Sequence, residues 1–383
     1  MSKKQNSNTR KAVILTLISV AFTLVVAEVA LRVIKTAGIA PEVFSVLGQA
    51  KPPLDVRDGP GMYYVHPYSA YNHKPGYERL PFERINNLGF RGEDLAVEKP
   101  ANTYRIVALG GSTTFGVYLP HDNTYPYYLQ RNLNERLGGA LNVEVANAGM
   151  SGSTTAESLH RLFFQVLPIK PDMVVIYHGY NDLFPRIFDD FQDDYFHFRR
   201  ANPNNPPGMS RFLVYRLILR VVNPIAFNEN YDLMNRVWKT DNLPESDAAR
   251  LQNFIDTSEA AFEANLDHMV KVLLAYDVQP VLATFANQRD GLHWNDYIPA
   301  YAWEEGINQN NRAIRRVAKK YDLPLVPFSE EASDLPATNP WRKKTEGCCY
   351  TDSIHMSSEG NSIKARIFAD TIEPIIRKEI DGQ

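Results

Sequence analysis

Cysteine is nearly absent: the 383 residues include two, Cys348 and Cys349, and they are neighbours. Across a trans peptide consecutive Cα atoms lie about 3.8 Å apart, below the usual span of a disulfide, so a bond between them would be strained. A disulfide framework is excluded, and without a nearby His or further Cys the pair makes a poor zinc site. Two packed thiols are the expectation. Long blocks of like charge are missing too, and a net charge of −3 with both signs mixed offers nucleic acid no basic face. Internal repeats and low-complexity tracts are also lacking. What remains is 44% hydrophobic, enough for a substantial core in one large domain or two ordinary ones.

The amino end carries Lys3, Lys4, Arg10 and Lys11, and then Ala12 to Leu31 form an apolar run interrupted only by Glu28. At about 20 residues the run is long enough to cross a bilayer. Its positive flank predicts a cytoplasmic amino terminus and export of the rest, to the periplasm or cell exterior. A cleaved signal peptide and a buried core helix are the competing readings. The small-residue candidate for cleavage, Gly38-Ile39-Ala40, stands well beyond the run and directly before Pro41, so a retained anchor is favoured. This divides the chain into a tail at 1–11, an anchor at 12–34 and a stalk at 35–103. The stalk is punctuated by Pro41, Pro52-Pro53, Gly59-Pro60-Gly61 and Pro75-Gly76. At its end, Asn87-Leu-Gly-Phe-Arg-Gly92 presents Arg91 either as a functional group or as part of a turn that packs Phe90.

From residue 104 to 383, strand and helix signals alternate. Ile106–Leu109, Val143–Ala146, Met173–Tyr177, Pro280–Phe285 and Leu323–Phe328 read as strands. Helices are expected near Tyr125–Leu137, Thr155–Leu167, Ala260–Ala275, Asn308–Lys320 and Ser358–Lys378. This rhythm predicts a parallel sheet with helices on both faces. It lapses at about 183–250, where acidic and aromatic residues, a Pro/Asn-rich turn (Asn202 to Gly208) and an amphipathic run (Phe212 to Val222) suggest an inserted lid.

The first of these strands ends in Gly110-Gly111-Ser112, which places a hydroxyl where ligands of open α/β sheets gather. Gly111 to Gly116 is not a phosphate-binding loop, because Val117 and Tyr118 follow instead of Lys and Ser/Thr. Nor is it the nucleophile elbow of α/β-hydrolases, which needs glycine where Thr114 stands. Three more motifs follow: Asn147-x-Gly149-x-x-Gly152, Gly179-x-Asn181-Asp182 and Asp352-x-x-His355. Taken singly, Asn181-Asp182 is equally an Asx turn and Asp352 equally a turn cap.

In this order the four motifs, over roughly residues 104–383, resemble the SGNH (GDSL-type) serine hydrolases. The resemblance implies a flavodoxin-like α/β/α sandwich of about five parallel strands and an esterase without metal or cofactor. Its implied triad is Ser112 as nucleophile, His355 as base and Asp352 orienting the imidazole. Its implied oxyanion donors are the backbone N–H groups of Ser112 and Gly152 and the side-chain amide of Asn181. The common family form has Asp before the nucleophile; here Gly111 stands there, which leaves the bracing of the nucleophile turn open. Expected partners are an ester-bearing small molecule, lipid or polysaccharide, and the membrane through the amino-terminal helix. The alternatives are an O-acyltransferase of surface polysaccharide and an inactive polysaccharide-binding relative. His178 and the tryptophans Trp238, Trp294, Trp303 and Trp341 read as packed residues.

Overall fold

Every residue of the strand that carries Ile106 to Leu109 is buried, as a run apolar on both faces requires. The computed structural model describes residues 2–39, 62–66, 69–79, 83–117, 119–199, 212–222, 242–288, 297–336 and 349–382. The turn at Asn202 to Gly208, Cys348, Trp238, Trp294 and Trp341 lie outside them. The chain divides into two compact units, Met1–Val65 with Asn202–Val237, and His66–Ala201 with Trp238–Gln383.

In the first unit, α1 (Ser2–Thr36) is continuous. Its stretch Val13–Thr36 is, by length and composition, able to cross a membrane. Glu28, the one acid in the apolar run, is not left bare. Its carboxylate accepts from Arg32 Nε at 2.8 Å and from the backbone N–H of Val214 at 3.0 Å, and Leu213 packs against Leu31.

The second unit holds a five-stranded sheet. Its strands are β1 (Thr103–Gly110), β2 (Asn142–Gly149), β3 (Met173–Tyr177), β4 (Gln279–Ala283) and β5 (Leu325–Val326). All pair in parallel, in the order β2-β1-β3-β4-β5. The order reverses between β1 and β3, and the crevice at their carboxyl ends is where such sheets bind ligands. Alternate residues feed opposite faces: Ile106 and Ala108 join one core, Val107 and Leu109 the other.

Between the strands run α2 (Ser112–Phe115), α3 (Tyr125–Leu137) and α4 (Thr155–Arg161). The amphipathic α5 (Leu213–Val222) belongs to the first unit. Then come α6 (Asp247–Asp256), α7 (Ala260–Ala275), α8 (Ala300–Lys320), α9 (Phe328–Ala332) and α10 (Ser358–Asp381). Helix α3 buries Tyr125, Leu129, Leu133 and Leu137, one stripe at four-residue spacing, and stops at Gly138 in the left-handed region. Helix α4 starts with a capping box from Thr154 and Glu157. It is shorter than the sequence pattern suggests: at Leu162 the winding loosens to a π turn, then tightens through Leu167–Ile169, where Pro168 cannot continue an α-helix.

The boundaries also differ from the sequence reading. The second unit begins at His66 rather than 104. Phe90 is fully buried in the same core as Val107 and Leu109, and Arg91 bridges to Asn147 on β2. The segment from Leu183 to Phe198, the first part of the expected insertion, contributes Leu183, Phe184, Ile187, Phe188 and Phe198 to the other core. Proline and glycine mark where helices stop; they do not report whether the intervening chain packs.

Candidate active site

At the end of β1 the backbone must pass through a space that admits no side chain. A Cβ on Gly110 would lie 2.2 Å from Thr114 Oγ1 and 2.6 Å from Tyr177 O; one on Gly111 would lie 2.6 Å from Asn181 Nδ2. Gly111 therefore suits this site: a larger residue would collide with the side-chain amide of Asn181. The turn is braced by other means. Asn147 Nδ2 donates to Thr114 O at 3.0 Å, Arg91 donates to Gly116 O at 2.9 Å and to Leu119 O, and Lys364 Nζ donates to Thr113 O at 3.3 Å. Arg91 also lies over the Phe115 ring, and Phe90 is buried, so the 87–92 turn packs as the second reading expected, with Arg91 clamping the backbone beside it. Lys364 is buried among the rings of Tyr125, Tyr177, Phe328 and Phe368, 3.6 to 5.6 Å from their centroids. Burial holds its pKa well below that of an ordinary lysine, and the ring faces offset part of the cost of a charge there.

Ser112 opens α2, and its hydroxyl lies 2.8 Å from His355 Nε2; His355 Nδ1 lies 2.7 Å from Asp352 Oδ2. The loop that delivers them is tightly closed. Thr351 N bonds to His355 O, Ser357 N to Cys349 O, and Gln288 N to Ser353 O. Asp352 Oδ1 accepts the backbone N–H groups of Ile354 and His355 at 2.8 and 2.7 Å, so the residue both caps the turn and faces the imidazole. Burial opposes its ionisation, but the facing imidazole and these donors outweigh it and hold Asp352 below the usual carboxylate range. Cys349, fully buried at the loop's start, is disulfide-bonded, which corrects the expectation of packed thiols.

On the other side of Ser112, Asn181 Nδ2 donates one proton to Ser153 O at 2.8 Å, leaving its second N–H for a ligand. Gly152 sits in the turn just before Ser153 with φ +73°, which glycine adopts without strain. A small cavity of about 10 Å³ borders Ser112, Asn181, Tyr180 and Ile354, room for about one water-sized group. Asn181→Ala is expected to lower kcat by about 10²–10³ with KM nearly unchanged, as for the loss of one oxyanion donor. Steady-state kinetics on an aryl acetate checks this; an equal fall in 1/KM would assign the amide to ground-state binding instead.

The neighbours of these motifs are structural. His178 is buried, its Nε2 2.7 Å from Ser158 Oγ, and burial lowers its pKa to about 4. Trp303 packs on Tyr180 in the core. Asp182 accepts from Thr155 N and Thr155 Oγ1 at the start of α4, and burial raises its pKa to about 7. Because the folded state then holds a proton that the unfolded chain has lost, stability from Asp182 falls as pH rises from about 4 to about 7. Relative to Asp182→Asn, the wild-type melting temperature should drop by several degrees between about pH 5 and pH 8. His178 acts in the opposite direction but is common to both proteins. A gap independent of pH would show Asp182 ionised throughout.

Sequence reasoning did not find Lys364, Tyr71 or Arg199. Tyr71 Oη donates to Ser151 O at 2.5 Å, while Arg199 donates from Nη2 to Gly152 O at 3.2 Å and from Nε to Glu157 at 2.7 Å. None belongs to a motif. Only the placement of Lys364 six residues beyond the start of a helix that begins three residues after His355 hinted at proximity to the site. Among the described residues no group of three or more His, Cys, Asp or Glu is arranged to hold a metal.

A parallel sheet of order 2-1-3-4-5, with serine, histidine and aspartate hydrogen-bonded in series at the strand ends, defines an α/β serine hydrolase that cleaves esters. The chain belongs to the GDSL-like lipase/acylhydrolase family, whose model matches residues 108–363. Similar solved structures include the lipase/acylhydrolase of Enterococcus faecalis, 19% identical, covering 71% of this chain and 96% of that one at a TM-score of 0.41. A GDSL-like lipase of Bacteroides thetaiotaomicron is 19% identical and covers 74% and 93%, with a TM-score of 0.39. A variant of a Geobacillus acetyl-xylooligosaccharide esterase is 18% identical and covers 70% and 94%, with a TM-score of 0.40. No curated protein matches the chain.

Proposed function

We propose that the protein is a serine esterase held in the membrane by α1, with its catalytic unit outside the cytoplasm, and that it works through an acyl-enzyme. The observation that supports this most is the continuous series Ser112 Oγ, His355 Nε2, His355 Nδ1, Asp352 Oδ2, with links of 2.8 and 2.7 Å. In this mechanism Ser112 Oγ attacks the ester carbonyl while His355 Nε2 takes its proton. The developing oxyanion is met by the N–H groups of Ser112 and Gly152 and the free N–H of Asn181. Collapse expels the alcohol, which leaves with the proton from His355. Water then attacks the acyl-serine and gives its proton to His355; collapse breaks the bond to Ser112 Oγ, which takes that proton back as the acid is released. Asp352 keeps the imidazole oriented and stabilises its charged form. The basic residues at the amino end of α1, ahead of its apolar stretch, support the outward orientation.

The test is covalent labelling of the full chain by a fluorophosphonate, with the modified peptide identified by mass. Labelling confined to Ser112 and abolished in Ser112→Ala is the expected result; labelling elsewhere, with ester hydrolysis intact in Ser112→Ala, refutes the mechanism. Assaying free acid beside acylated sugar separates an esterase from a transferase using the same acyl-enzyme. A reporter fused to the carboxyl terminus that is active only in the cytoplasm would contradict the orientation.

A further inference from the structure

Gly152 occupies the third position of a tight turn: Ser153 N bonds back to Met150 O at 3.1 Å, Gly152 has φ +73°, and Ser151 is not among the residues with positive φ. This is a type II turn. Its central peptide joins Ser151 to Gly152, and in a trans peptide the C=O and the N–H point in opposite directions. Whatever holds Ser151 O therefore also aims Gly152 N–H. Type I and type II turns differ mainly by a flip of this peptide, and glycine accepts the backbone angles of either. Without a constraint, the N–H would spend part of its time turned away.

Tyr71 supplies the constraint on this peptide, and Arg199 holds the carbonyl of the next. Tyr71 Oη donates to Ser151 O at 2.5 Å, and Arg199 Nη2 donates to Gly152 O at 3.2 Å. They come from far apart in sequence, one from the segment before β1 and one from the segment after β3. Both are buried, and the Arg199 guanidinium lies 5.9 Å from the Tyr71 ring centroid. We infer that Tyr71 is a positioning residue that locks the Ser151–Gly152 peptide in its type II state, while Arg199 holds the peptide that follows, so that Gly152 N–H faces the oxyanion. This rests on the serine-esterase reading above and deepens it. The hydrogen bond to Ser151 O also polarises the same amide, which makes its N–H a better donor. The segment ahead of the sheet thus serves the reaction without touching the substrate.

Tyr71→Phe removes the hydroxyl alone and keeps the ring, whereas Arg199 also pairs with Glu157 at the cap of α4 and its loss threatens the fold. Tyr71→Phe is expected to lower kcat by about 10- to 100-fold, part of the loss seen when an oxyanion donor is removed outright. KM should change little. The inhibition constant of an alkyl boronic acid, whose tetrahedral adduct on Ser112 uses the same donors, should weaken by a similar factor. The melting temperature should stay close to wild type, and amide exchange at Gly152 in the boronate complex should quicken. A purely structural hydroxyl would lower the melting temperature while leaving boronate affinity per folded molecule unchanged, and that result overturns the inference. So does a Tyr71→Phe enzyme with wild-type kcat and boronate affinity, while Ser112→Ala remains inactive. Full activity in Ser112→Ala would instead overturn the esterase reading, and the inference with it.

Discussion

Replacing Asp352 by Asn is expected to lower kcat by about 10⁴ while the protein stays folded. The size follows from the hydrogen bonds. Oδ1 already accepts two backbone N–H groups, from Ile354 and His355, so the carbonyl oxygen of an asparagine must take that side. Its NH₂ then faces His355 Nδ1, where the carboxylate oxygen stood at 2.7 Å. An amide donor there forces Nδ1 to be the acceptor and places the ring proton on Nε2. That nitrogen faces Ser112 Oγ and can no longer take its proton. The charge that stabilised the imidazolium is lost at the same time. Steady-state kinetics with a melting curve tests this: kcat within tenfold of wild type would mean that Asp352 only caps its turn.

Gly149→Ala should cost the most stability of any single methyl added near the site. A Cβ at this position would lie 2.1 Å from Phe115 N and 2.6 Å from Thr114 C, so the obstacle is the backbone of α2 and cannot rotate away. Either the end of β2 or the nucleophile helix must shift, and both are fully buried at this contact. An overpacking cost of about 3 kcal/mol exceeds the fraction of a kcal/mol that alanine gains by stiffening the unfolded chain. For a unit of this size the melting temperature should fall by roughly 6–12 °C. Because Phe115 N also bonds to Gly111 O at 2.9 Å, moving it displaces Ser112, and kcat per folded molecule should fall as well. A melting temperature within a degree or two of wild type and an unchanged kcat would show that β2 does not press on α2.

The motif Asn147-x-Gly149-x-x-Gly152 thus divides into separate tasks. Asn147 ties β2 to the carbonyl of Thr114, Gly149 lets the two backbones meet, and Gly152 takes the left-handed position of the turn that follows, from which we propose its N–H serves the oxyanion. The motif was readable beforehand through the family resemblance, but the tasks of Asn147 and Gly149 are contacts to Thr114 and Phe115, which only the folded chain brings near. Gly111 is different. It departs from the common family form, and only the 2.6 Å approach to Asn181 Nδ2 explains why a bare backbone suits this chain. The bracing came from Arg91, Asn147 and Lys364, which stand 20 residues before Gly111, 36 after it and 253 after it.

The order of strands and helices, the burial of β1 and the polar types at the strand ends were determined by the sequence alone. Periodicity, turn chemistry and side-chain donors are properties of a few neighbouring residues. The meeting of Ser112 with a histidine 243 positions later was decided by the tertiary structure, as were the role of Tyr71 and the point at which the folded unit begins. Such contacts depend on which surfaces the sheet and its helices bring together. A tyrosine bound to a carbonyl 80 residues away looks, in the chain itself, like any other tyrosine.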